Sequence, residues 1–159
     1  MMNFVDRMIK KLESDTVVSE RTRAELLERL QELYYLQGKT QKVMESEAKR
    51  LPYPHLRAEA ERLALEEKKY QQTTAELIRK AGGKEDGSAL QAFEANSEGQ
   101  FSQILRTENQ LEDKFIEYAN WAEEKGFRHE ARVLRELKEA HYNCVEKIER
   151  LIMRTNGAM

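Results

Sequence analysis

Apolar residues recur along most of this chain at alternating spacings of four and three, the period of one face of an α-helix. Between about Pro54 and Ala81 the series is Leu56, Ala60, Leu63, Glu67, Tyr70, Thr74, Leu77, Ala81. From about Arg128 to Arg154 it is Phe127, Ala131, Leu134, His141, Cys144, Ile148, Leu151, and from about Gln100 to Lys125 it is Phe101, Leu105, Glu108, Leu111, Phe115, Tyr118, Ala122. An earlier helix, from a plausible N-cap at Ser19 to about Leu51, gives Leu27, Leu30, Tyr34, Gln37, Gln41, Met44, Ala48. A short amphipathic segment (Phe4, Met8, Leu12) precedes it. The division is therefore 1–18 for that segment and 19–159 for a helical domain.

Breakers are few, and they fall between these runs. Pro52 and Pro54 force extended backbone and end the first long helix. Gly82 and Gly83 cap the second, and Gly126 ends the third. The links at Pro52 and Gly126 are tight, which predicts two antiparallel helical hairpins. The link between the hairpins, Gly82 to Gly99, has 18 residues, with Ser88 placed to cap a short helix through Phe93 and Ala95 before the sequence Asn96-Ser97-Glu98-Gly99 interrupts again. At ~3.3 Å per extended residue such a link can traverse a helix of about 27 residues rising ~1.5 Å each. The fold class expected is all-α: a four-helix bundle with a long crossover.

Polar residues break the stripes at one level. Tyr34 stands 18 residues before Pro52 and Glu67 15 after it, while Glu108 stands 18 before Gly126 and His141 15 after it. Each pair is centred within two residues of its turn, so its members face each other across the hairpin. A constant offset of 74 relates the halves, carrying Tyr34 to Glu108, Glu67 to His141 and Tyr70 to Cys144. The same offset carries Leu63 to Leu137 and Leu77 to Leu151, as an internal repeat would. Glu67 and Glu108 lie where the period expects leucine, and a buried carboxylate needs a metal, a cation or a hydrogen-bond donor beside it. His141 and Cys144, one turn apart on one face, are metal ligands by residue type.

At these positions the chain resembles the ferritin-like superfamily, and within it the rubrerythrins. "LALEEKKYQQTTAELIRKAGG" is similar to the family's second-helix segment, and "YANWAEEKGFRHEARVL" to the join of its third and fourth helices. Rubrerythrin bundles hold two irons with a Glu on the first helix of each hairpin and Glu-x-x-His on the second. Against that pattern Glu67 and Glu108 are kept, whereas Tyr34, Tyr70, His141 and Cys144 stand where Glu, His, Glu and His are expected. The resemblance implies a degenerate di-iron site. Its surviving half, Glu67, Glu108, His141 and Cys144, would take a single transition metal (iron, zinc or manganese). Tyr34 and Tyr70 would fill the lost half-site, their hydroxyls bonding Glu67. It also implies a homodimer and a redox or oxidative-stress setting, a metal-dependent oxidoreductase if an enzyme, but neither an iron-storage cage nor an ordinary di-iron peroxidase. The alternative is a metal-free structural or protein-interaction module in which Glu108 bonds a protonated His141.

Composition narrows the rest. Charged residues make up 35% and the net charge is −2, with both signs interspersed, so nothing points to nucleic acid. No apolar run approaches the roughly 18 residues of a membrane span. One cysteine excludes an internal disulfide framework and fits a reducing, cytoplasmic setting. There is no Gly-rich phosphate loop and no Gly-x-Ser-x-Gly elbow. A Cys144–His141 nucleophile would lack access and an oxyanion donor. His55 and His129, at helix starts, are expected at the solvent surface, and Trp121 at a packing rim.

Overall fold

The computed structural model describes residues 3–92 and 100–157, and within them the chain is all-helical. Four long helices and one short one follow in order: α1 Phe4–Arg50, α2 Pro54–Lys80, α3 Ser88–Ala92, α4 Gln100–Glu124 and α5 Arg128–Gly157. No helix among the described residues is long and apolar enough to cross a membrane.

The first difference from the sequence reading lies in α1. Ser19 does not start a helix. The first segment and the first long helix are one element of 47 residues, capped by Asn3, whose side chain accepts from the Asp6 amide at 2.7 Å. The first glycine is Gly38 and the first proline Pro52. A serine inside a helix costs only tenths of a kcal/mol, roughly, so Ser19 cannot interrupt a run that contains no breaker. Among the described side chains the first buried one is Leu26, and Phe4, Val5, Met8 and Ile9 are exposed.

The helix ends elsewhere follow the breakers. Gly82 and Gly126 both take positive φ, 90° and 91°, as left-handed C-caps. After each, the chain closes back on the helix, Gly83 N donating to Ile78 O at 3.0 Å and Phe127 N to Ala122 O at 2.8 Å. Both are the six-to-one bonds of a Schellman ending, which only a residue free of the Cβ penalty closes cheaply. At the other turn Pro54 opens α2 and Leu51 stays extended.

Two apolar clusters fix the direction of each helix. One gathers Leu26 to Leu36 of α1, Leu77 to Ala81 of α2, Leu111 to Ala119 of α4, and Leu134 and Leu137 of α5. The other gathers Val43 to Leu51, Leu56 to Ala64, Ile104, and Cys144 to Leu151. Thus α1 and α5 run from the first cluster to the second, while α2 and α4 run back. The close packings are α1 with α2 and α4, and α5 with α2 and α4. Since α2 ends at the first cluster and α4 begins at the second, the link between them passes from one end to the other. Its early part lies along α1. Gln31 Nε2 donates to Lys84 O at 2.6 Å, Gln31 Oε1 accepts from Asp86 N at 3.1 Å, and Lys42 Nζ donates to Leu90 O. α3 starts at Ser88 as expected, with the Ser88 amide bonded to Asp86 Oδ1 at 2.9 Å. The expected continuation through Phe93 and Ala95 and the break at Asn96 to Gly99 lie outside the described residues.

Candidate metal centre

Between the two apolar clusters sits a polar layer. The buried polar residues are Gln37 and Thr40 of α1, Glu67 and Thr74 of α2, Thr107 and Glu108 of α4, and His141 of α5. Each falls in the gap between the stretches its helix gives to the clusters. The three threonines satisfy their own hydroxyls, donating to the carbonyls of Leu36, Tyr70 and Gln103 one turn back. The acids and the amide do not. Among the described residues the buried side-chain atoms without a hydrogen-bond partner are Gln37 Oε1, Glu67 Oε1 and both carboxylate oxygens of Glu108.

Glu67, Glu108 and His141 come together from three helices. Each offers one ligand atom, and these atoms lie within 4.8 Å of one another. Exposure is 1% for Glu67, 0% for Glu108 and 3% for His141, so the group is closed to solvent. His141 Nε2 lies 2.7 Å from the Glu108 carbonyl oxygen. A carbonyl only accepts, so Nε2 carries the hydrogen. Nδ1 lies 2.8 Å from Glu108 Oε2, an ion pair by distance whose N–H is not directed at that oxygen. Phe115 walls the imidazole, its ring centroid 5.7 Å away.

The charges follow from this burial. Desolvation pushes the Glu67 carboxyl well above the carboxylate range, and the neighbouring Glu108 charge pushes the same way. Burial works to lower the His141 pKa, but the Glu108 carboxylate and carbonyl outweigh it and the net shift is upward.

Cys144 and the tyrosines differ from expectation. Cys144 is buried beside the group but outside the set that closes within 4.8 Å. Its Sγ points to Glu66 Oε2 at 3.7 Å, and Glu66 also pairs with Lys147 at 3.3 Å. Burial, then the charges of Glu67 and Glu108, raise the thiol pKa far above its ordinary value, so it stays protonated. Tyr34 and Tyr70 are only half-buried. The Tyr70 hydroxyl is raised by burial and then by Cys144, Glu66 and Glu67, which places it beside the site. Neither tyrosine bonds Glu67 Oε1, which has no hydrogen-bond partner. The α1 face is rotated from the one read in sequence: Leu30, Leu33, Gln37, Thr40 and Met44 are buried, while Tyr34 and Gln41 stand at its edge.

The remaining expectations concern the surface. His55 and His129 are exposed, and Trp121 is half-buried, stacked on Phe127 with the Arg29 guanidinium 4.0 Å above its ring. Sequence reasoning passed over Gln37 and Glu66. Gln37 was visible as a second polar residue on the α1 stripe, but Glu66 shows no periodic signal.

Comparison with family models, with curated proteins and with solved structures finds no match to this chain.

Proposed function

We propose that this chain is a ferritin-like bundle, related to the rubrerythrins, in which Glu67, Glu108 and His141 hold a single divalent transition metal. The observation that carries the reading is the buried convergence of these three side chains with three carboxylate oxygens left unpartnered. Two carboxylates and one imidazole match the charge of a divalent ion. A divalent ion held by both carboxylates and a neutral imidazole leaves the layer neutral. Nε2, held by the Glu108 carbonyl, fixes the tautomer that presents Nδ1, the usual outer-shell arrangement of a metal-bound histidine. With Cys144 outside the group that closes within 4.8 Å, the donors are mostly oxygen, a set that suits manganese or iron(II) better than zinc. The helix directions and the link along α1 support the ferritin-like topology.

Such an ion would supply one-electron redox chemistry or Lewis acidity, and the reaction class on this reading is metal-dependent oxidation–reduction in an oxidative-stress setting. The chain's own part is to hold the ligands, exclude water behind Phe115 and keep the site neutral. Ligands on one side only argue against a di-iron peroxidase or a storage cage. We place the chain in the cytoplasm as a homodimer, the latter checked by sedimentation at micromolar concentration.

The test of the reading is elemental analysis of protein purified without a histidine tag and then reconstituted anaerobically with iron(II), manganese(II) or zinc(II). Roughly one equivalent per chain is expected, abolished in Glu67→Gln and His141→Ala. Less than about a tenth of an equivalent after reconstitution would refute it. One observation favours a second reading: both ring nitrogens of His141 lie within 2.8 Å of Glu108 oxygens, so an acid–imidazole pair can occupy the layer without a metal. Failure of loading would select that reading, a metal-free interaction module.

A further inference from the structure

Glu67, Glu108 and His141 come from α2, α4 and α5, and α1 contributes to the same layer a residue with no assigned role. Gln37 is 2% exposed, and its Oε1 has no hydrogen-bond partner. It lies between the α1 stretches given to the two apolar clusters, as do Glu67, Glu108 and His141 on their own helices. α1 packs against both α2 and α4, which carry the two carboxylates. The axial level is set independently by Gln71 Nε2, which donates to Tyr34 O at 3.3 Å. Because α1 and α2 are antiparallel, about one turn forward from Tyr34 and one turn back from Gln71 bring Gln37 level with Glu67.

We infer that Gln37 is the fourth protein ligand of the site, giving its amide oxygen to the same cation. The inference rests on the metal-binding reading above and deepens it. An uncharged carbonyl oxygen adds coordination without upsetting the balance between two carboxylates and a divalent ion, which a third carboxylate would do. It also gives the orphaned oxygen a partner. A leucine in its place would have filled a dry core without leaving a buried polar atom unpaired. The full set, three oxygen donors and one nitrogen from four helices, shifts preference further toward manganese and iron(II) and away from thiolate-loving ions.

Cobalt(II) chloride is a suitable probe, since its visible absorption reports coordination number and its affinity is read by competition with a chromophoric chelator. Gln37→Leu should still bind one cobalt, but roughly ten- to hundred-fold more weakly and with altered band intensities. Gln37→Glu should restore the wild-type coordination number. The metal-free Gln37→Leu protein should melt at the wild-type temperature or above, because an orphaned polar group is removed. Equal cobalt affinity and an unchanged spectrum in Gln37→Leu would overturn the inference while leaving the three-ligand centre intact. A lower melting temperature of metal-free Gln37→Leu with unchanged cobalt affinity would likewise overturn it, assigning Gln37 to packing. A wild-type protein that binds no cobalt, iron or manganese would end the centre itself, and the inference with it.

Discussion

His141 rests both of its ring nitrogens on Glu108, Nδ1 at 2.8 Å from the carboxylate and Nε2 at 2.7 Å from the main-chain carbonyl. One residue thus meets the whole polar edge of another across the α4–α5 interface. Removing one partner leaves an uncompensated buried charge, which costs about 3–5 kcal/mol, whereas apolar replacement of both is close to neutral. We predict that His141→Leu lowers the stability of the metal-free protein by about that amount, and that Glu108→Leu/His141→Leu recovers most of it. Urea denaturation of the two singles and the double gives the coupling. Singles that cost less than about 0.5 kcal/mol would show that the pair contributes little.

The raised pKa values of Glu67 and His141 make the metal-free protein prefer mild acid. In both, the folded state binds the proton more tightly than the unfolded chain. Their contribution is complete below the unfolded values, near 4.5 for Glu67 and 6.5 for His141, and is lost as pH rises through the folded ones. Glu85 and Asp86, held low by Arg79 and by Ser88, act oppositely and weaken the fold only at lower pH. After chelation the urea midpoint should therefore be higher at about pH 5.5 than at about pH 8. With manganese(II) present the order should reverse, since metal binding releases the same protons. A chelated protein more stable at the higher pH would contradict the upward shifts of Glu67 and His141.

Much of this arrangement is legible in the sequence, for reasons that also explain the exceptions. α2 and α5 each bury one narrow face, so the four-and-three period places Glu67 and His141, and the 74-residue offset carries the level across to Glu108. Gly82 and Gly126 are readable because a left-handed cap demands them. α1 is harder. It is covered by α2, by α4 and by the link carrying Leu90, so its buried face is broad and no single stripe fixes the rotation. That rotation brings in Leu33 and Thr40, keeps Gln37 and puts Tyr34 at the edge. The contact of Cys144 with Glu66 depends on how α5 lies against α2, which neither helix encodes alone. Ser19 misleads because a capping residue marks a helix start only where the preceding chain is not already helical.

Cys144 provides a separable prediction. Its thiol is buried, protonated and outside the three-residue group, with Sγ directed to Glu66. Cys144→Ala should lose about 1 kcal/mol of packing and retain the wild-type metal stoichiometry. In the native protein a disulfide reagent should react slowly with the thiol, reaching full reaction only on unfolding. Loss of metal in Cys144→Ala would instead bring the sulfur into the coordination shell as a thiolate.

Gln31 is the residue that ties the link between α2 and α4 to α1. Its amide donates to Lys84 O at 2.6 Å and accepts from Asp86 N at 3.1 Å, so one side chain replaces a pair of main-chain bonds that this irregular stretch lacks. Further along, Gly38 leaves the space that Leu90 occupies: a Cβ there would lie 2.4 Å from Leu90 Cδ1 and from Gln71 Nε2. Both attachments are local; that of Gln31 lies away from the polar layer, whereas Gly38 is the neighbour of Gln37. Gln31→Ala should remove about 1 kcal/mol for each hydrogen bond, and Gly38→Leu should displace Leu90 and loosen α3. Because each 1.4 kcal/mol is about a factor of ten in a local opening equilibrium, losing both bonds should accelerate protease cleavage between residues 84 and 92 about thirtyfold in Gln31→Ala. Exchange of the Asp86 amide should accelerate with it. In Gln31→Ala global unfolding should change by no more than about 2 kcal/mol, and metal content not at all. Unchanged Asp86 exchange and unchanged cleavage in both variants would mean that the link is held to α1 by something other than these contacts.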